Sequence, residues 1–170
     1  MKFRYNVHII SITIAVLLFT VLAEAQNTFP YELYEPRTFE EFDEIHLVET
    51  EPDYGSATPL MISANPFYSA IRVEYTAKSR KLSDDKLNLF KIWVGMLNLN
   101  SKVLERLESE YLFKECDREF WIPVQKQVAA YFPKELKEGD MVTLYVMAVG
   151  GLKPKNDWEY VFLTNEFRKY

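Results

Sequence analysis

The sequence has little of what usually makes chemistry readable. Among 170 residues there is one cysteine, two histidines and five glycines. The single cysteine, Cys116, excludes an intramolecular disulfide and all cysteine-rich zinc sites. His8 lies near the N-terminus, which leaves His46 alone in the rest of the chain. Two-histidine metal motifs such as HExxH are therefore excluded there. The glycines form neither GxGxxG nor GxxxxGKS/T, so no phosphate-cradling loop is present. A Gly-x-Ser-x-Gly nucleophile elbow and an Asn-x-Ser/Thr sequon are also missing. No repeat or low-complexity tract interrupts the chain. Gly and Pro are too few for a collagen-like chain, and the 48% hydrophobic content excludes a disordered polar one.

The one long apolar run sits at the N-terminus. Lys2 and Arg4 precede Ile9 to Leu22, and Ala23-Glu24-Ala25 follows. A basic start, an apolar stretch and a small-residue exit form the layout of a cleaved secretory signal peptide, residues 1–25. A spanning helix needs about 20 apolar residues, and this run is shorter. The mature chain is thus expected to be exported, to the periplasm or extracellular space, with cleavage near Ala25 and no membrane span. In that setting a lone thiol reads as a small buried hydrophobe or as an intermolecular link. The burial habits of free cysteine favour a buried or merely tolerated Cys116.

Charge divides the mature chain. Residues 26–60 hold nine carboxylates against Arg37 alone, punctuated by Pro30, Pro36, Pro52 and Pro59. Residues 61–170 are nearly balanced. The organisation expected is an acidic Pro/Tyr-containing arm over 26–60, packed loosely on a single α+β domain over 61–170. Within the arm, Thr38 and Glu41 suit a capping box for a helix from Phe39 to about Val48, and Ile45 to Thr50 suits a strand equally well.

Periodicity supplies the elements. Ile71, Val73 and Tyr75 alternate with polar residues, as in a half-buried strand, before a basic turn at Lys78–Lys81. Ser83 caps a helix to Leu97, with Asp84 and Asp85 where the macrodipole favours negative charge. Its wide apolar face predicts burial, Gly95 suggests close approach of another element, and Asn98 and Asn100 end it. Val103 to Glu110 has helical composition. Tyr111–Val124 reads as a hairpin turning at Cys116–Arg118, with Pro123 at a strand end or sheet edge. Gln125 to Phe132 suits two helical turns closed by Pro133. Glu138–Asp140 is a turn. Met141–Val149 and Trp158–Phe167 then form an antiparallel pair around a polar loop from Gly150 to Asp157. The second strand is apolar on both faces, as in a strand covered on both sides. A Gly-Asp turn leading into a strand resembles small β-barrels of the SH3-like or OB-like type, at the level of fold alone. The fold class expected is α+β: a C-terminal antiparallel sheet, partly open and barrel-like, packed on one buried amphipathic helix.

Catalytic signals are weak. Cys116 and His46 are 70 positions apart and lack a recognisable nucleophile context. Asp84–Asp85 is explained by helix capping, and Glu40–Glu41 and Asp43–Glu44 by a solvated face. No metal site or cofactor is expected. Net acidity and export disfavour nucleic acid. Aromatics are the one excess, with 23 among the 145 residues after Ala25. Most are expected to fill the core. Tyr111, Phe113 and Trp121 on the hairpin, and Trp158 and Tyr160 beside the long loop, are the candidates for an exposed ligand-binding platform. The function expected is a non-catalytic binding or envelope-associated module recognising a protein or glycan. A small hydrolase of envelope or extracellular polymer is the rival, and a structural accessory subunit of an envelope complex is the third reading.

Overall fold

The computed structural model describes residues 29–44, 48–49, 58–154 and 158–170. The N-terminal apolar run, its cleavage site, His46 and the last part of the Gly150–Asp157 loop lie outside the described residues. The strands are β1 (Glu35–Arg37), β2 (Val48–Glu49), β3 (Leu60–Lys81), β4 (Leu107–Glu115), β5 (Arg118–Gln125), β6 (Met141–Leu152) and β7 (Glu159–Lys169). The α-helices are α1 (Asp84–Met96), α2 (Lys126–Ala129) and α3 (Phe132–Glu135).

The 22-residue β3 organises the sheet. Its first two thirds pair antiparallel with β6, from Leu60↔Leu152 to Glu74↔Met141. Its end pairs with β4, up to Lys81↔Ser109. The register shifts between Tyr75 and Ser79, where Ala77 takes φ 58°, as a bulge does when it bends a strand. Lys78–Lys81 are therefore strand, and not the basic turn their composition suggests. Ile71 and Val73 are fully buried, in keeping with the alternation.

β4 and β5 form the expected hairpin, closed by Glu115↔Arg118 around Cys116 and Asp117. Cys116 is exposed at this turn with φ 53°, which overturns the buried half of the expectation and leaves the merely tolerated thiol. β6 and β7 form the second hairpin. β6 runs through Gly150 to Leu152, past the point where the loop was expected to begin. β5 and β7 then meet in parallel at one position, Val124↔Thr164. That contact joins β3, β4, β5, β7 and β6 into a ring, though not a clean barrel. Short β1 and β2 flank β3, β1 parallel and β2 antiparallel.

Two cores result from the period of two. Inward residues such as Ile71, Val73, Phe113, Ile122, Val142 and Leu144 fill the ring. Outward Met147, Val149, Val161 and Leu163 meet Leu89, Phe90, Trp93 and Val94 of α1. β7 is thus covered on both sides, as its two apolar faces predict. Ser83 caps α1, its side chain accepting from Lys86 N–H at 3.3 Å. Gly95 is exposed, and an added Cβ there meets nothing within 4 Å, so no close approach explains it. Asn98 ends the helix at φ 49°. Asn100 caps a 3-10 helix, Ser101–Arg106, which passes into β4 at Leu107. The stretch expected to be helical to Glu110 is therefore strand in its second half. Likewise, the expected Gln125–Phe132 helix is two short pieces. Pro133 stands at the start of α3, where its missing N–H costs nothing.

The acidic segment contributes to the ring core. Thr38 N–H donates to Glu41 Oε2 at 2.7 Å, and Glu41 N–H to Thr38 Oγ1 at 3.3 Å, which is the expected capping box. It starts a 3-10 helix, Glu40–Glu44. Phe39 and Phe42 are each 2% exposed and sit within the ring core. Residues 31–44 are therefore built into the domain and do not form a loosely packed arm. Among the described residues, no helix is long and apolar enough to cross a membrane.

Candidate functional site

Among the described residues the ring is joined between β5 and β7 by a single pair. Extending the parallel register back from Val124↔Thr164 would set Trp121 beside Val161, Phe120 beside Tyr160 and Glu119 beside Glu159. No such pairs form among the described residues. The wedge between them holds a cavity of about 380 Å³. Phe39, Phe120 and Phe162 form its inner, ring-core side, and Arg80, Trp121, Trp158 and Tyr160 also line it. Phe39 and Phe120 stack with centroids 4.1 Å apart. A cleft of this size that combines apolar walls with fixed polar groups is a usual form of a ligand site, and here Arg80, Arg118, Glu119 and Glu159 supply the charged part of the lining.

Cations lie on the aromatic rings around the wedge. The Arg80 guanidinium sits 4.1 Å from the Trp121 ring centroid, and Arg118 sits 5.1 Å from that of Phe120. Lys153 Nζ lies 5.5 Å from the Trp158 ring centroid. Such contacts hold long flexible heads against the rings.

A buried ionic cluster laces the seam. Lys86, in the first turn of α1, is 2% exposed, and Glu110 of β4 is fully buried. Lys86 Nζ donates to Glu110 Oε2 at 2.6 Å, to the Trp121 carbonyl of β5 at 2.9 Å, and pairs with Glu159 Oε1 of β7 at 2.7 Å. Two of the three ammonium donors are thus hydrogen-bonded, and the Glu159 carboxylate lies against the same head. The Lys86 head therefore bridges β5 and β7 where main-chain bonds do not. Glu110 Oε1 accepts from Arg80 Nε at 2.5 Å, so its second oxygen is also engaged. Glu119 pairs with Lys114 at 3.6 Å. Each of these three carboxylates is thus engaged by a cation, which suits a scaffold better than a proton-transfer pair. At the hairpin end, Glu115 accepts from Phe39 N–H at 2.9 Å. Burial pushes the Glu115 carboxyl above its ordinary range, and the Phe39 N–H and Arg118 partly offset that.

The structure brings three of the five sequence-derived candidates together. Trp121, Trp158 and Tyr160 line the wedge. Phe113 is fully buried in the ring core and offers no face to a ligand. Tyr111 points inward at another place, edge-to-face on Phe132 at 4.9 Å. The hairpin's alternation explains the split: Phe113 and Tyr111 share the inward face, and Trp121 does not. Sequence reasoning missed Lys86, Glu110, Arg80 and Glu159. One signal for Lys86 was available, because a cation in the first turn opposes the helix macrodipole and needs a compensating anion. Among the described residues, no cluster of His, Cys, Asp and Glu suits a metal ion.

Comparisons with protein-family models, with curated proteins and with solved structures find no match to this chain.

Proposed function

We propose that the protein is a non-catalytic, exported binding module that takes its ligand in the wedge between β5 and β7. The observation that carries this reading is the wedge itself. It is a cleft of ligand size, lined by aromatic rings, ring-stacked cations and the Glu119 and Glu159 side chains, next to the single described pair that joins β5 to β7. The engagement of Glu110, Glu119 and Glu159 by cations supports binding over hydrolysis.

The test is a panel of peptides and oligosaccharides offered to the purified domain. Trp158→Ala should abolish whatever binding is found, with the melting transition unchanged. Tyr111→Ala, remote from the wedge, should retain it. Binding indifferent to Trp158→Ala, or turnover of any panel polymer by the wild-type domain, would overturn the reading.

A further inference from the structure

The wedge exposes main chain as well as side chains, and this narrows the ligand class. In an antiparallel pair, residues alternate between facing their partner and facing away from it. At Leu112↔Trp121 both carbonyls look away. The Leu112 carbonyl accepts from Thr76 Oγ1 of β3 at 2.7 Å, and the Trp121 carbonyl accepts from Lys86 Nζ at 2.9 Å on the other side. By the period of two, Glu119 also faces away from β4, toward the wedge. Its N–H and C=O, with the Trp121 N–H, therefore point into the gap. Among the described residues no strand pairs with them, since the β5–β7 pair is Val124↔Thr164.

We infer that the wedge receives an extended peptide, added as a strand along the β5 edge from Arg118 to Trp121, with an apolar side chain inward and an acidic one next to it. This rests on the binding-module reading and names its ligand. Main-chain pairing along an exposed edge supplies affinity, and pockets for alternate side chains supply specificity. The inward residue meets Phe39, Phe120 and Phe162. Its neighbours point outward, because strand side chains alternate. There they meet Arg80, whose side chain is 48% exposed. Among the described residues Arg80 commits only Nε, to Glu110, so its terminal N–H groups face the wedge to take a carboxylate. The Trp121 ring beneath holds the guanidinium in place.

The probe is a pool of blocked pentapeptides with a central apolar residue, aspartate beside it and varied flanks. It is compared with an asparagine version, with versions N-methylated at alternate amides, and with neutral oligosaccharides. The expected result is peptide binding that slows exchange of the Glu119 and Trp121 amides. N-methylation of one alternate set of amides should abolish it, and N-methylation of the other should not. Replacing aspartate by asparagine should weaken binding about tenfold, as should Arg80→Gln, and the two losses should not add. Binding equally tolerant of both methylation sets would overturn strand addition. Failure of every peptide, with oligosaccharide binding that Trp158→Ala removes, would overturn the peptide and leave the binding module. Failure of peptides and oligosaccharides alike would overturn both. Concentration-dependent self-association that protects the same two amides would assign the edge to a second copy of the chain and overturn the peptide proposal.

Discussion

Lys86 Nζ lies 2.6 Å from Glu110 Oε2, with both side chains all but sealed from solvent. The pair sits where the ring would otherwise lack a fastening, and the same ammonium reaches the main chain of β5 and the Glu159 side chain of β7. Removing one partner leaves the other buried with only its second, partly exposed partner, Arg80 for Glu110 or Glu159 for Lys86, which costs up to about 3–5 kcal/mol. Lys86→Met should therefore destabilise by about that amount in urea denaturation. The double variant Lys86→Met/Glu110→Leu should cost less than the sum of the two single changes, because no buried charge is left short of a partner. Additive losses would show that the two groups do not depend on each other.

Phe39 and Phe42 should behave as core residues. Each Phe→Ala change is expected to cost about 3–5 kcal/mol in equilibrium unfolding. Deleting residues 26–58 should likewise abolish cooperative melting. Wild-type melting of either Phe variant would show that the acidic segment is dispensable.

Two glycines should respond in opposite senses. A Cβ on Gly150 would lie 2.1 Å from the Met61 carbonyl oxygen, which is backbone and cannot swing aside. Gly150→Ala should cost about 1–3 kcal/mol through the forced shift. Gly95 faces open space in α1, so Gly95→Ala should add about 0.5–1 kcal/mol. Thermal midpoints moving in the same direction for both would contradict the packing at β3–β6.

Glu115 should leave a signature in the pH profile. Its carboxyl titrates above the ordinary 4.5 because burial penalises the charged form. The folded state then holds this proton more tightly than the unfolded state does. Below 4.5 the penalty is absent; it grows as pH rises from there through the raised value and stays constant above it. Glu115→Gln keeps an acceptor for the Phe39 N–H and removes the titration. Its urea midpoint should therefore fall less than that of wild type between acid and neutral pH. Parallel profiles would refute the assignment.

What could be read from the sequence was what period and capping encode. The Ser83 cap, the Thr38–Glu41 box, the Cys116–Asp117 hairpin turn and the two-faced β7 are local patterns, and each appears in the fold. Of the platform candidates, Trp121, Trp158 and Tyr160, chosen for aromatic excess beside turns, line one cavity. Phe113 failed because alternation alone does not say which face of a hairpin is the inner one. Lys78–Lys81 read as a turn because charge looks like solvent, yet those residues pair with β4. The seam was not legible at all. It depends on strands β5 and β7, which are far apart in sequence, meeting at one position and then diverging, and on a helix residue, Lys86, reaching across them.

The open seam is tested most directly by amide hydrogen exchange along β5 in the free domain. Phe120 and Ile122 pair with Phe113 and Tyr111 and face β4, so their amides should exchange slowly. The amides of Glu119 and Trp121 face the wedge and should exchange fast. Uniform protection from Arg118 to Ile122 would mean that the edge is already paired, and would contradict a ligand-accepting seam.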